Sequence, residues 1–152
     1  MASAANQKTS QQKGKQAEFL VFGELIKRGA DLYLPVIDTG IDALIRKKDG
    51  TYLQIQVKAT ETPIMAGCFN VYDLDYYARK NFFIVGLDLS KQPPETWILP
   101  SLVFEKYATV WKSKQGFKRY TLILDYKDRK HGNKLRRDIL KKYREAWGLL
   151  TG

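Results

Sequence analysis

Between residues 51 and 60 the chain reads TYLQIQVKAT, where Leu53, Ile55 and Val57 alternate strictly with Gln54, Gln56 and Lys58. That period of two confines the stretch to a β-strand with one apolar and one polar face. Three long polar side chains on one side of a strand are costly against a core, so the polar face lines a cleft or meets solvent. Upstream, GIDALI reads as the partner strand, and Lys48, Asp49 and Gly50 supply the tight turn of a hairpin between the two. The hairpin carries Asp42 towards the Gln56 and Lys58 end of its neighbour. Asp38, in the preceding DTG, is a second nearby carboxylate of a type ordinary in turns.

A helix precedes these strands. Over residues 13–28 the spacing of Ala17, Leu20, Val21, Phe22, Leu25 and Ile26 fits one amphipathic helix, with Gly29 placed to end it. At about 100° per residue Glu18 falls in the middle of the apolar arc. An inward carboxylate needs a cation, a metal or hydrogen bonds, because an isolated one is destabilising or protonated. Glu24, by contrast, lies beside Lys27 and Arg28 on the polar side, where an exposed ion pair explains it.

The remaining pattern completes one domain. Residues 1–12 hold nothing to bury and read as a flexible tail, so the folded unit is residues 13–152. Strands are expected at residues 32–37, 41–46 and 52–59, then a helix over DLDYYARK at 73–80 and a buried strand at 82–89. Pro93 and Pro94 interrupt regular structure; a short strand at 97–99, a helical turn at 102–107, a strand at 120–124 and a basic helix at 133–147 follow. The order αβββαβ predicts an α/β domain with a mixed sheet flanked by helices. Tyr72, Phe82, Phe83, Trp97 and Trp111 are expected to pack inside rather than stack on bases, with one of Tyr76 and Tyr77 near the cleft.

Composition narrows the chemistry. Cys68 is the single cysteine, which excludes a disulfide scaffold and a cysteine-rich zinc site, and the single histidine, His131, argues against a histidine metal cage or a serine triad. His131, beside Gly132 in a basic turn, is expected at the surface. No apolar run approaches the ~18–20 residues of a membrane span and no signal-peptide core is present, so a cytoplasmic location away from membranes is expected. The net charge of +10 favours a polyanionic partner. Residues 127–144 alone carry +7, and Lys130, Lys134, Arg136, Arg137 and Lys141 are the candidate phosphate contacts, with Leu135, Ile139 and Trp147 turned inward.

Glu18, Asp42, Gln56 and Lys58 thus meet at one end of the sheet. Oxygen ligands and a lysine suit magnesium-assisted phosphodiester hydrolysis; a buried Glu18–Lys58 ion pair with a structural role accounts for part of the same pattern.

In these residues the chain resembles the PD-(D/E)XK nuclease superfamily. The segment KGKQAEFLVFGELIKRG is similar to the first helix of archaeal Holliday-junction resolvases, whose helical glutamate matches Glu18. IDALI carries Asp42 at the superfamily's acid position, and QVK carries Gln56 and Lys58 at its final pair. The Q-x-K form is similar to that of small homing endonucleases from cyanobacterial group I introns. The resemblance covers residues 13–60, and the rest by element order. It implies a restriction-endonuclease-like fold and an endodeoxyribonuclease that uses Mg²⁺ or Mn²⁺ on duplex or branched DNA, as a homing endonuclease or a junction resolvase. It further implies Asp42 as principal metal ligand, Glu18 as a metal-binding or water-orienting acid, Gln56 completing the site and Lys58 assisting the nucleophile, in a homodimer or higher assembly. The neutral Gln56, in place of the commoner Asp or Glu, also fits a catalytically inactive nuclease-fold module that binds nucleic acid.

Overall fold

A computed structural model describes residues 9–37, 39–60, 67–74 and 80–152. The first helix, α1 (Ser10–Lys27), starts earlier than its apolar spacing indicates, because Thr9 caps it: the Thr9 hydroxyl accepts the Gln12 amide and the Gln12 side chain accepts the Thr9 amide. Ser10, Gln11 and Gln12 therefore belong to the helix and not to a tail. Ala17, Val21, Phe22 and Leu25 are buried, whereas Leu20 and Ile26 are exposed.

The strands β1 (Asp31–Tyr33), β2 (Ala43–Arg46) and β3 (Tyr52–Thr60) form an antiparallel meander. The first is shorter than expected, since residues 34–37 leave the sheet. Gly50, at φ 85°, turns the β2–β3 hairpin where Lys48-Asp49-Gly50 stands. After β4 (Cys68–Tyr72), the expected helix at 73–80 falls mostly outside the described residues, as do Asp38, Tyr76 and Tyr77. The chain then runs through β5 (Phe82–Asp88), which pairs in parallel with β3, and β6 (Glu95–Pro100), antiparallel to β5. The central sheet, in the order β1-β2-β3-β5-β6, is thus mixed.

Its two faces bury separate cores. On one, α1 covers Ala43, Ile45, Leu53, Ile55, Val57, Val85 and Ile98, joined by Trp147 and Leu150. On the other, Phe82, Ile84, Trp97 and Leu99 pack against α2 (Ser101–Tyr107) and a three-stranded sheet in the order β4-β8-β7, made with β7 (Thr109–Lys112) and β8 (Lys118–Ile123). All of β5 is buried because its alternating side chains serve both cores. Gly86 is the exception: a Cβ there would lie 2.7 Å from the Phe69 ring, which fills that space. Trp97 is buried as expected. Trp111 and Tyr72 are not: Trp111 stands on the edge strand β7, 58% exposed, and Tyr72 at the end of β4 is 60% exposed.

The C-terminal segment departs furthest from expectation. In place of a basic helix there is a two-residue hairpin of β9 (Lys127–Asp128) and β10 (Lys134–Leu135), one turn of α3 (Arg136–Ile139), a 3₁₀ turn at Lys141–Tyr143, and α4 (Gly148–Thr151). Two contacts pull the chain off a helical path. Asp128, 3% exposed, accepts the backbone amides of Lys130 and His131, the His131 ring and the Arg136 guanidinium. Further on, Glu145, at φ 52°, exchanges backbone and side-chain hydrogen bonds with Thr96 on β6. No helix among the described residues is long and apolar enough to cross a membrane.

Candidate active site

The site is built where β2 ends before β3 does. Ala43 pairs with Ile55, so beyond Ile55 that edge of β3 has no backbone partner on β2. Asp42 takes over: its amide donates to the Ile55 carbonyl at 2.9 Å, and its carboxylate Oδ2 accepts the Val57 amide at 2.6 Å. Such a charge-assisted bond fixes the carboxylate against the strand. The alternation of β3 keeps Leu53, Ile55 and Val57 in the core under α1 and leaves Gln54, Gln56 and Lys58 half-buried on the other face, as their spacing predicts.

Glu18, Asp42, Gln56 and Lys58 line one cleft of about 470 Å³. The four residues singled out in the sequence are therefore brought together. Glu18 reaches the cleft with its side chain 18% exposed, and Lys15 Nζ sits 2.9 Å from its Oε2. The Glu18–Lys58 ion pair is not formed: among the described residues Glu18 pairs with Lys15. Gln56 Oε1 is buried with no hydrogen-bond partner, a state that is costly for an amide oxygen unless something donates to it or binds it. Among the described residues no three His, Cys, Asp or Glu side chains gather as a metal cluster. The donor set is instead two carboxylates and one amide oxygen, all oxygen and all hard, which fits a cation of the magnesium type.

Sequence reasoning missed part of the wall. Ser10, Lys13 and Gly14 also line the cleft. Ser10 lies before the helix expected from apolar spacing, and Gly14, four residues before Glu18, shares its face by the helical period. Glu18 and Asp42 also border a second, smaller cavity of about 150 Å³ with Phe19, Phe22, Leu34 and Val36.

The five cations chosen from the basic segment divide. Lys130, Lys134 and Lys141 are exposed. Arg136 is bound to Asp128 Oδ2 at 3.2 Å, and Arg137 to Asp125 Oδ1 at 2.7 Å and to Glu95. Burial alone would raise the Glu95 carboxyl, yet hydrogen bonds from Arg137 and Trp97 hold it below its ordinary range. Asp128 behaves likewise, burial being outweighed by His131 and Arg136. Arg137 is in turn held protonated more firmly, chiefly by Asp125. His131 stays partly exposed, its ring bonded to Asp128 and lying 4.8 Å from the Tyr107 ring. Burial pushes the Cys68 thiol up.

No protein-family model matches the chain, and no curated protein matches it in sequence. Among solved structures it is similar to the bacterial homing endonuclease I-Ssp6803I, with a TM-score of 0.61 and 20% identity over 95% of this chain and 93% of that one. A looser likeness joins it to Hjc, a Holliday junction resolvase from the archaeal hyperthermophile Archaeoglobus fulgidus, with a TM-score of 0.46 and 16% identity over 73% of this chain and 84% of that one. The chain shares the fold of the first of these structures, a mixed sheet flanked by helices.

Proposed function

We propose that this protein is a metal-dependent DNA endonuclease that hydrolyses phosphodiester bonds in the cleft holding Glu18, Asp42, Gln56 and Lys58. The observation that carries the reading is the pinned Asp42 carboxylate and the unpartnered Gln56 oxygen in the same cleft. Glu18, Asp42 and Gln56 would hold Mg²⁺ or Mn²⁺, whose chemistry there is to polarise a phosphate oxygen and acidify a bound water. The Val57 amide keeps Asp42 in place as charge changes around it. Lys58 makes no ion pair among the described residues, and its ammonium is available to orient the water or to offset charge on the phosphate. Duplex DNA is the substrate we assign, supported by the likeness to a homing endonuclease along nearly the whole of both chains.

Cutting both strands calls for two such clefts, and a homodimer or higher assembly supplies them. The exposed apolar side chains of Phe19, Leu34 and Val36 beside the cleft support self-association.

The test is incubation of the wild type, Asp42→Asn and Lys58→Ala with supercoiled, linear and four-way-junction DNA in Mg²⁺, Mn²⁺ or EDTA. Metal-dependent nicking lost in both variants supports the reading. DNA binding by all three proteins with no cleavage in any would favour an inactive module, for which the neutral Gln56 speaks.

A further inference from the structure

The β7–β8 hairpin has a surface unlike the rest of the molecule. Every residue of β7 is exposed, and Val110, Trp111 and Phe117 are 48%, 58% and 62% exposed. In register across the sheet, Trp111 pairs with Arg119 and Arg119 with Tyr72, itself 60% exposed. The Arg119 guanidinium lies over the Trp111 ring, 5.8 Å from its centroid. Ser113 and Gly116 close a tight turn, with the Ser113 hydroxyl accepting the Phe117 amide at 3.0 Å. Lys112, Lys114 and Arg119 are exposed around it.

Charge sets this hairpin apart from the basic segment that follows it. Residues 109–124 contain four Lys or Arg and no Asp or Glu. In residues 125–144, Asp125 and Asp128 pair with Arg137 and Arg136. Exposed aromatic rings on a water-facing strand are costly unless a partner covers them, and cations without local carboxylates select a polyanion. A two-stranded ribbon also has the width that the major groove of duplex DNA admits.

We propose that the β7–β8 hairpin is a DNA-docking ribbon, with Lys112, Lys114 and Arg119 on phosphates and Trp111 covered by the duplex. The proposal rests on the DNA reading above for its class of partner, and assigns binding to a surface distinct from the cleft. It also supplies a spectroscopic handle, since Trp97 and Trp147 are 0% and 4% exposed and Trp111 is the accessible indole.

The experiment uses the full-length wild type, Asp42→Asn, and a triple variant carrying Lys112→Ser, Lys114→Ser and Arg119→Ser, with circular dichroism to confirm that each is folded. Three readouts are taken: binding of a labelled duplex in EDTA over a range of salt, acrylamide quenching of tryptophan with and without DNA, and nicking of supercoiled DNA in Mg²⁺. DNA is expected to shield the wild-type indole, and the slope of log affinity against log salt is expected to flatten by about 2 to 3 in the triple variant. Asp42→Asn should keep the wild-type slope and shielding while losing nicking. A wild type that nicks DNA, with an unshielded Trp111 and an unchanged slope in the triple variant, overturns the hairpin proposal and leaves the nuclease reading standing. Shielding and a flattened slope with no nicking by the wild type overturn the nuclease reading alone. A wild type that neither binds nor nicks overturns both.

Discussion

The Asp42 carboxylate accepts the Val57 amide at 2.6 Å, so one side chain of the cleft also completes the hydrogen bonding of β3 where β2 has stopped. Asp42→Ala removes both functions, and the orphaned Val57 amide should cost about 1–3 kcal/mol. Asp42→Asn retains an oxygen for that amide and loses the charge. It is expected to unfold near the wild-type temperature yet to nick DNA more than about a hundredfold more slowly. Thermal melts beside plasmid nicking separate the two effects.

Gln56 stands in the opposite balance, with a buried oxygen that nothing in the fold satisfies. Gln56→Met removes that cost while keeping the volume, and should raise stability by about 0.5–2 kcal/mol. The same variant is expected to lose Mn²⁺ binding by calorimetry. Gln56→Glu should instead tighten Mn²⁺ binding, because a carboxylate supplies charge that an amide lacks. Equal Mn²⁺ affinity in all three proteins would remove Gln56 from the metal site.

The site was more legible in the sequence than the fold around it. Strand alternation has a period so short that six residues of β3 settled which side chains share a face, and the turn at Gly50 settled which end Asp42 reaches. Glu18 was readable from the helical period. The C-terminal segment was not, because its conformation depends on partners far away in sequence: the Glu95 carboxylate for Arg137, and the Thr96 backbone on β6 for Glu145. A local run of cations reads as a helix face when its partners lie elsewhere in the chain. Trp111 was misplaced for a related reason: apolar character does not reveal that β7 is an edge strand.

Acid is expected to weaken the fold through the carboxylates that anchor the C-terminal segment. Asp128 and Glu95 are held below their ordinary values of 3.8 and 4.5. A carboxyl lowered on folding contributes stability that is whole above its unfolded value and is lost as pH falls through the folded one. Urea midpoints should therefore stay flat down to about pH 5 and drop below it. Asp128→Asn should cost about 3 kcal/mol at neutral pH by leaving Arg136 buried without its anion, and should make the acid loss smaller. An acid limb identical to the wild type's would contradict this.

Gly86 is held to glycine by the Phe69 ring, which a Cβ would approach to 2.7 Å. Gly86→Ala is expected to cost about 1–3 kcal/mol by overpacking. Pairing it with Phe69→Leu should recover part of the loss, and chemical denaturation of the single and double variants measures the coupling.

Val36, fully exposed at 101%, lies next to Ile37 at 74%. A charge there, as in Val36→Glu, should dissociate any assembly that this patch holds. Sedimentation velocity is expected to show a smaller species than the wild type, with the melting temperature unchanged. Identical sedimentation of the two proteins would place self-association elsewhere.

The two-faced strand β3 has a last consequence. A slip of one residue against β2 would drive Gln56 and Lys58 under α1 and turn Ile55 and Val57 out to the cleft. That exchange would bury an amide and an ammonium and expose two apolar side chains, so it is opposed by the core itself. Folding acts here as quality control on the site, and a correctly assembled core certifies the alignment of Gln56 and Lys58.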